Sequence, residues 1–221
     1  MMKHIKILMA MAVCLGISMS ANAQLSHTKD GFVDTKAKEI ITKTKNKIKS
    51  SPSISFVSQI IIKDQNKKEQ NRQTAQVLLS KNKYRIMVDG HIFYCDGTTV
   101  WHHNRETQEV IINNIEKEED NILNPAKLLE NYEKNFRPKF IRVEEDGTFV
   151  IDFTPKKTKE YHKIRILISK DYQITKLEMN YYDSSKTEYI IEKYRTNVHS
   201  VDSDFVFTAT DTKGIEIIDM R

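Results

Sequence analysis

The fold is decided by residues 93–112, which read FYCDGTTVWHHNRETQEVII. The dipeptide Asp96-Gly97 is typical of a two-residue β-hairpin turn, because both turn positions take a positive φ. Aromatic and β-branched residues, which favour strands, lie on both sides of this turn. A polar run at 104–107 then separates a further segment that contains Val110 and Ile112. The stretch therefore predicts three short antiparallel strands joined by tight turns.

Strand-like segments continue on both sides of this stretch. Upstream they lie at 54–62, 75–79 and 84–88, and a second Asp-Gly turn follows at 89–90. Downstream they lie at 139–145, 148–154, 162–169, 173–182 and 187–195, with short closing segments at 204–207 and 214–218. The pattern predicts one antiparallel sheet of about 10–11 strands.

Two segments have helical spacing instead of alternation. From Asp34 to Lys49 the apolar residues fall on one side and lysines on the other, with Asp34 placed to cap the first turn. Asn124-Pro125 offers a cap followed by proline at the first helical position, which predicts a short amphipathic helix at about 125–134. Residues 24–33 are polar and are predicted to be an irregular lead-in.

A sheet of this length tends to curl, and the apolar stripe of each helix needs a surface to cover. We therefore predict an α+β fold that is mainly β. Its centre is a strongly curved antiparallel sheet with helices over the concave, apolar face.

The first 23 residues, MMKHIKILMAMAVCLGISMSANA, have the pattern of a secretory signal peptide: a charged start, a short apolar run and an Ala-x-Ala cleavage site. Cys14 follows Val13, whereas a lipid-attachment cysteine follows a small residue, so soluble export is favoured over lipidation. We expect one mature domain at 24–221 in the periplasm. Loss of Lys3 and Lys6 lowers the formal charge from +5 to +3, which is too mild for a nucleic-acid footprint.

Several residues near the Asp-Gly turn have the chemistry of a metal or catalytic site, but each has a simpler explanation. His102 and His103 are neighbours on a predicted strand, so they point to opposite faces and cannot chelate together. His91 lies on the adjoining strand, and nothing in the spacing requires it to approach. Asp96 is favoured at a turn for local hydrogen bonding. Cys95, alone after cleavage, is predicted to be an inert buried thiol.

Motifs for nucleophilic catalysis or nucleotide binding are absent from the sequence. There is no G-x-S-x-G elbow and no Walker-type glycine loop. We therefore predict that the protein is not an enzyme, with no catalytic residue, no metal site and no cofactor.

The order of these segments resembles the outer-membrane lipoprotein carrier family, the LolA-like periplasmic lipoprotein chaperones. The resemblance rests on four places. They are Asp96-Gly97 followed by Trp101, Asn104, Val110 and Ile112; Asn124 to Leu129; Phe153-Thr154-Pro155-Lys156; and Asp204 to Phe207 with Lys213 to Asp219. It departs at Arg105, where the family pattern has proline, and at Leu79 to Lys83, which has no Arg-Pro pair to latch a lid.

The resemblance implies an incomplete β-barrel with helices over its mouth and a non-enzymatic carrier function. Such a carrier shields the acyl chains of lipoproteins and moves them from the inner to the outer membrane. The implied partners are acylated lipoproteins, an inner-membrane lipoprotein-releasing ABC transporter and an outer-membrane acceptor or membrane surface. The protein is expected to act as a monomer without nucleic acid.

The predicted acyl-chain-binding residues share inward-facing strand positions. They are Phe56, Ile60, Val77, Leu79, Tyr84, Ile86, Phe93, Trp101 and Ile112. A movable lid is predicted from Leu128, Leu129 and Tyr132. The same residues at the same spacings would also form an ordinary closed core, and periodicity leaves both interpretations open.

Two other functions compete with the carrier. One is a periplasmic binding or sensor module of the same fold that recognises a lipid or a lipidated partner. The other is an envelope enzyme acting on a lipid, which would need convergent Ser, His or Asp groups inside the sheet. Lysines cluster at 43–49 and 156–159. They indicate either a solvated face or a surface that docks on an acidic partner or anionic membrane.

Overall fold

The computed structural model describes residues 25–28, 31–115, 125–130, 132–208 and 214–221 of the chain. Its centre is a curved sheet of twelve strands that does not close into a barrel. This confirms the predicted mainly-β, incomplete-barrel architecture. The predicted signal peptide at 1–23 lies outside the described residues. No helix in the described ranges is long and apolar enough to cross a membrane.

The first half of the chain forms a small hairpin, a helix and a six-stranded meander. The hairpin strands are β1 (Leu25–Thr28) and β2 (Gly31–Asp34), and helix α1 is Thr35–Lys49. The meander strands are β3 (Ile54–Lys63), β4 (Glu69–Ser80), β5 (Lys83–Val88), β6 (His91–Cys95), β7 (Thr99–Asn104) and β8 (Glu109–Asn114).

The second half forms two short helices and the rest of the sheet. The helices are α2 (Pro125–Glu130) and α3 (Tyr132–Asn135). The strands are β9 (Phe136–Val143), β10 (Phe149–Pro155), β11 (Tyr161–Ile168), β12 (Ile174–Tyr181), β13 (Lys186–Thr196) and β14 (Glu216–Asp219). The strand order is β14-β8-β7-β6-β5-β4-β3-β13-β12-β11-β10-β9. The two meanders therefore meet where β3 pairs with β13.

Three elements differ from the sequence prediction. Residues 25–34 form a hairpin, although an irregular lead-in was predicted. The predicted strand at 204–207 is wrong, because a turn of 3-10 helix occupies Asp202–Phe205. There the Asp204 carboxylate accepts a hydrogen bond from the Val201 amide at 2.9 Å, and such local bonds compete with strand pairing. Strand β14 pairs with β8 in parallel, an arrangement that alternation cannot reveal.

Helix α1 is anchored at its first turn by one buried carboxylate. Oδ1 of Asp34 accepts a hydrogen bond from the Ala37 amide at 2.9 Å, which confirms the predicted cap. Oδ2 of Asp34 accepts from the Phe140 amide of β9 at 2.8 Å. One side chain therefore starts the helix and fixes it against the sheet.

Replacing Asp34 with alanine should lower the free energy of unfolding by about 2 kcal/mol. The change removes a helix cap, worth about 1 kcal/mol, and leaves the Phe140 amide without its acceptor. Urea unfolding followed by circular dichroism measures the loss. Asp34→Asn retains one acceptor oxygen, so its loss should be smaller. Equal stabilities for Asp34→Ala and wild type would contradict this anchoring role.

The apolar core divides into two clusters on the inner, helix-covered face of the sheet. In the first, Ala37, Ile40 and Ile41 of α1 pack against β9 to β12. Its strand residues include Ile151, Phe153, Ile164, Ile166, Ile168 and Leu177. The second cluster lies on β3 to β7 and contains Ile54, Phe56, Val77, Leu79, Tyr84, Ile86, Cys95 and Val100. Ile48 of α1 packs against both clusters and therefore lies at their junction.

The outer face of the sheet carries a cluster of ion pairs. Glu188 of β13 is only 3% exposed and faces three ammonium groups. The Lys63 Nζ is 3.0 Å and the Lys176 Nζ 3.5 Å from Glu188 Oε2, and Lys186 pairs with Oε1. Burial by itself would raise the pKa of Glu188, but hydrogen bonds from Lys186 and Lys63 and the charge of Lys176 lower it to about 2.

Replacing Glu188 with glutamine should destabilise the protein by about 2 kcal/mol at pH 7, because charge-assisted hydrogen bonds are lost. The folded pKa is depressed below the ordinary value of 4.5, so the carboxylate stabilises the fold above that pH. The stability difference between wild type and Glu188→Gln should therefore shrink as the pH falls from about 5 towards 2. Urea unfolding at a series of pH values measures this, and a difference independent of pH would contradict it.

Candidate functional site

A cavity of about 690 Å³ lies at one end of the inner face, between the sheet and the helices. The end of α1, the segment that leads into β3, the β4–β5 turn and α2 surround it. Its apolar walls come from Ile48, Pro52, Ile54, Leu79, Ile115 and Leu129. Ligand pockets in proteins usually have volumes of about 300–1,000 Å³ and mostly apolar walls. The cavity therefore has the size and lining of a site for an apolar group.

The helix-to-strand connection explains why a cavity forms at this end. Helix α1 ends at Lys49, and the hydroxyl of Ser50 donates to the Lys47 carbonyl at 2.8 Å. Pro52 cannot continue a helix, so the chain turns away before β3 begins at Ile54. The last apolar residue of α1, Ile48, and the first of β3 are thereby separated, and they form facing walls.

A much smaller void adjoins the cavity and shares Ile48, Ile54 and Leu79 with it. A second void, of only about 10 Å³, lies between Ile48, Ile54 and Leu79 on one side and Phe56, Ile191 and Tyr194 on the other. Such a volume holds about one water molecule. The ring of Phe56 stacks on that of Tyr194, with centroids 6.3 Å apart. Both rings line this void.

The charged residues that line the cavity are mostly basic. Lys45 and Lys49 of α1 and Lys81 of the β4–β5 turn line it, together with Glu130 of α2. The Lys45 ammonium donates to the Glu130 carbonyl oxygen at 3.1 Å. An apolar interior with a cationic rim suits an amphiphile better than a fully polar or fully apolar molecule.

Lysines of α1 also hold the two short helices in place. The Lys45 ammonium lies 5.8 Å from the centre of the Tyr132 ring, a cation–π distance. The Lys38 ammonium pairs with Glu133 at 3.1 Å. Burial, and then the neighbouring Glu133 carboxylate, raise the pKa of the Tyr132 phenol. These contacts join α1 to α2 and α3 in a chain that has no Arg-Pro pair at Leu79 to Lys83.

The strand register places seven of the nine predicted lining residues on the inner face. Directly opposed residues share a face, and the pairs Phe56–Val77, Val77–Ile86 and Ile86–Phe93 form one continuous row. Ile60, Leu79 and Tyr84 follow by alternation along the same strands. Leu79 alone of the nine lines the large cavity, and Phe56 lines the small void. The others pack in the core or further along the sheet.

The same register removes Trp101 and Ile112 from the inner face. Trp101 pairs with Tyr94 and with Ile112, whereas Phe93 pairs with His102. Trp101 and Ile112 therefore share the outer face with Tyr94, and they cannot line the cavity. The prediction placed Trp101 on the same face as Phe93, because the two are an even number of positions apart. A turn lies between them, and alternation cannot be counted through a turn.

The three predicted lid residues differ in position. Leu129 is fully buried and lines the cavity. Leu128 is half-buried and packs against the first core cluster. Tyr132 is buried against Phe153, with ring centroids 6.0 Å apart and planes at 81°. Sequence reasoning did not identify Ile48, Ile54 and Ile115 as cavity-lining residues. The change from helical to strand period across Ser50-Ser51-Pro52 was a signal that the chain changes direction there.

Two histidines do come together on the inner face. The His91 Nδ1 and His102 Nε2 atoms lie 3.0 Å apart, and His102 stacks on Phe93 with centroids 4.4 Å apart. One imidazole must donate and the other accept, so at least one is neutral in this contact. Zinc needs at least three protein ligands. Within the described residues no group of three or more His, Cys, Asp or Glu side chains could hold a metal ion.

The other polar candidates have structural roles. Asp96 Oδ1 accepts hydrogen bonds from the Thr98 and Thr99 amides, each at 2.8 Å, as predicted for a turn aspartate. Burial alone would raise the pKa of Asp96, but these bonds outweigh it and lower the pKa. Cys95 is fully buried on the inner face. On the outer face, burial and then the charge of Arg105 lower the pKa of His103.

The solved structures that match this chain share little sequence with it. A LolA superfamily protein from Nitrosomonas europaea is 13% identical over 77% of this chain and 97% of that chain, with a TM-score of 0.44. A DUF1329 family protein from Desulfovibrio piger is 11% identical over 77% and 97%, with a TM-score of 0.44. Lipoprotein LppX from Mycobacterium tuberculosis is 10% identical over 75% and 98%, with a TM-score of 0.44. No curated protein sequence matches this chain significantly.

Family membership is shown by the sequence itself. The family model for the outer membrane lipoprotein carrier protein LolA matches residues 91–208, more than half of the 221-residue chain. The match begins at β6 and includes residues 93–112, which carry the first motif of the resemblance. The chain therefore belongs to the LolA family of outer membrane lipoprotein carrier proteins.

Proposed function

We propose that this protein is a carrier that shields the acyl chains of lipoproteins and moves them from the inner to the outer membrane. The observation that carries the proposal is the apolar cavity of about 690 Å³ beneath α2, in a chain of the LolA family. The cavity has room for part of an acyl chain. Binding in such a cavity requires no covalent or nucleotide-dependent step in the carrier. The protein works in the periplasm, which the pattern of residues 1–23 supports.

The energetics suit a carrier. Each methylene removed from water contributes about 0.8 kcal/mol, so one long acyl chain is worth on the order of 10 kcal/mol. Such a chain crosses an aqueous compartment only when it is covered. Walls of Ile48, Ile54 and Leu79 cover it without polar groups that would select one cargo over another. Lys45 of α1 donates a hydrogen bond to α2, the helix over the cavity. Such polar contacts at the surface are individually weak, so they can open to admit or release a ligand.

We further propose that the protein is not an enzyme and that its partners are those of a carrier. Asp96 and Asp34 are occupied in capping hydrogen bonds, and Cys95 is buried, which supports a non-catalytic function. The proposed partners are acylated lipoproteins, an inner-membrane lipoprotein-releasing ABC transporter and an outer-membrane acceptor or membrane surface. The proposed carrier acts as a monomer.

Two measurements on the purified periplasmic protein test the carrier. Mass spectrometry of extracted ligands should find co-purified lipoprotein or acyl lipid. Added protein should also release lipoproteins from spheroplasts. Protein that is consistently empty and releases nothing would contradict the proposal. Bound lipid without release would instead favour a lipid-binding module that is not a carrier.

A further inference from the structure

Two of the three lysines that line the cavity, Lys49 and Lys81, have no partner among the described residues. Helix α1 carries six lysines, and five of them make contacts within the protein. These are Lys36 and Lys43 with Glu39, Lys38 with Glu133, Lys45 with the Glu130 carbonyl and Lys47 with the Asp171 carbonyl. Within the described ranges, neither Lys49 nor Lys81 has a hydrogen-bond or ion-pair partner.

The two lysines belong to different elements and line one cavity. Lys49 is the last residue of α1, and Lys81 lies in the turn that joins β4 to β5. Both line the same cavity, whose only acidic lining residue in the described part of the chain is Glu130. A single lysine at the end of a helix is common, because it complements the helix dipole. Lys81 is on a different element, so the dipole does not account for the pair.

We propose that this cavity binds, besides the acyl chains of a lipoprotein, a free long-chain amphiphile with a negatively charged head group, a carboxylate or a phosphate. The acyl chain lies against Ile48, Ile54 and Leu79, and the head group lies at the rim formed by Lys49 and Lys81. This inference goes beyond the proposed cargo, because the linkages that join acyl chains to a lipoprotein carry no such charge; it rests on the proposed function only in using the same acyl-chain site. It selects among amphiphiles that the apolar walls by themselves would accept equally.

Charge complementarity supports this ligand over docking of α1 on an anionic membrane surface. A membrane-docking helix presents many unoccupied cations along its length. Here most of the α1 lysines are engaged by carboxylates and carbonyl oxygens of the protein. Among the α1 lysines of the described residues, the one without such a partner is Lys49, which lines the cavity. Interactions of such partly exposed charges are screened by salt, so the contribution of the head group should fall as ionic strength rises.

Displacement of a fluorescent acyl probe by laurate and by 1-dodecanol tests the inference, because the two ligands share a twelve-carbon chain and differ in charge. At low salt and pH 8 laurate should bind about tenfold more tightly than 1-dodecanol. The double variant Lys49→Gln/Lys81→Gln should reduce that ratio to within about twofold, without loss of 1-dodecanol binding. The matched control Lys157→Gln/Lys170→Gln removes two exposed lysines elsewhere and should keep the tenfold ratio.

The outcomes separate the head-group inference from the carrier proposal. If neither ligand displaces the probe, the proposed acyl-chain function fails. If both bind equally in wild-type protein, acyl binding stands and the head-group inference is overturned. Inorganic phosphate is included as a third competitor at the same concentrations. Displacement by phosphate as strong as that by laurate would also overturn the inference, since it would indicate an anion site without a chain.

Discussion

Replacing Ile48 with glutamate is expected to weaken acyl-chain binding about 100-fold, or roughly 2.8 kcal/mol. Ile48 lines both the large cavity and the small void behind it, so a carboxylate there would be desolvated by any bound chain. Ile48→Trp should weaken binding for a different reason, because the larger side chain fills the cavity without adding charge. Titration of a fluorescent fatty-acid analogue measures both effects.

The matched control is Ile62→Glu, the same change of residue type at a strand position away from the cavity. Ile62 is 40% exposed and lies eight residues along β3 from Ile54, about 26 Å at 3.3 Å per residue. This variant should bind the fatty-acid analogue as wild type does. Circular dichroism and urea unfolding would show that each variant is folded before binding is measured. If folded Ile48→Glu and Ile48→Trp both bind normally, the cavity is not the acyl-chain site.

Replacing Phe153 with alanine should cost about 4 kcal/mol of unfolding free energy, the largest stability effect expected in this protein. Phe153 is fully buried, and the rings of Tyr132 and Phe136 each meet it edge to face at 6.0 Å. The loss would combine a cavity in the first core cluster with the loss of these two aromatic contacts. Because Tyr132 belongs to α3, the short helices over the sheet should loosen as well.

Urea unfolding and thermal melting measure the cost of Phe153→Ala. For a chain of this size, about 3 °C per kcal/mol gives a fall in Tm of about 12 °C. Tyr182→Ala removes an aromatic ring that is 68% exposed, and it should change stability by less than about 0.5 kcal/mol. A Phe153→Ala loss below about 1 kcal/mol would show that the cluster repacks around the missing ring.

Local features were predictable because their causes lie within a few residues. Asp34 caps α1, and Asp96-Gly97 forms a turn, because each bond joins positions two or three apart in the chain. The Asp-Gly turns and the alternating strands around them were also sufficient to predict the sheet, and its length was sufficient to predict that it curves. The same local chemistry misled at Asp204, whose side chain stabilises a 3-10 turn where the apolar pattern indicated a strand.

The sequence by itself determined the family, the mainly-β curved sheet, the helix at 34–49 and the inward direction of most apolar strand residues. Only the tertiary structure decided which of those residues line open space. Leu79 faces the cavity while Tyr84, opposite it on β5, is sealed in the core. The tertiary structure also decided that Trp101 faces outward. The physical reason is that alternation fixes a side chain's face only relative to its own strand. Whether that face is filled depends on where distant elements, here the end of α1 and α2, leave a gap.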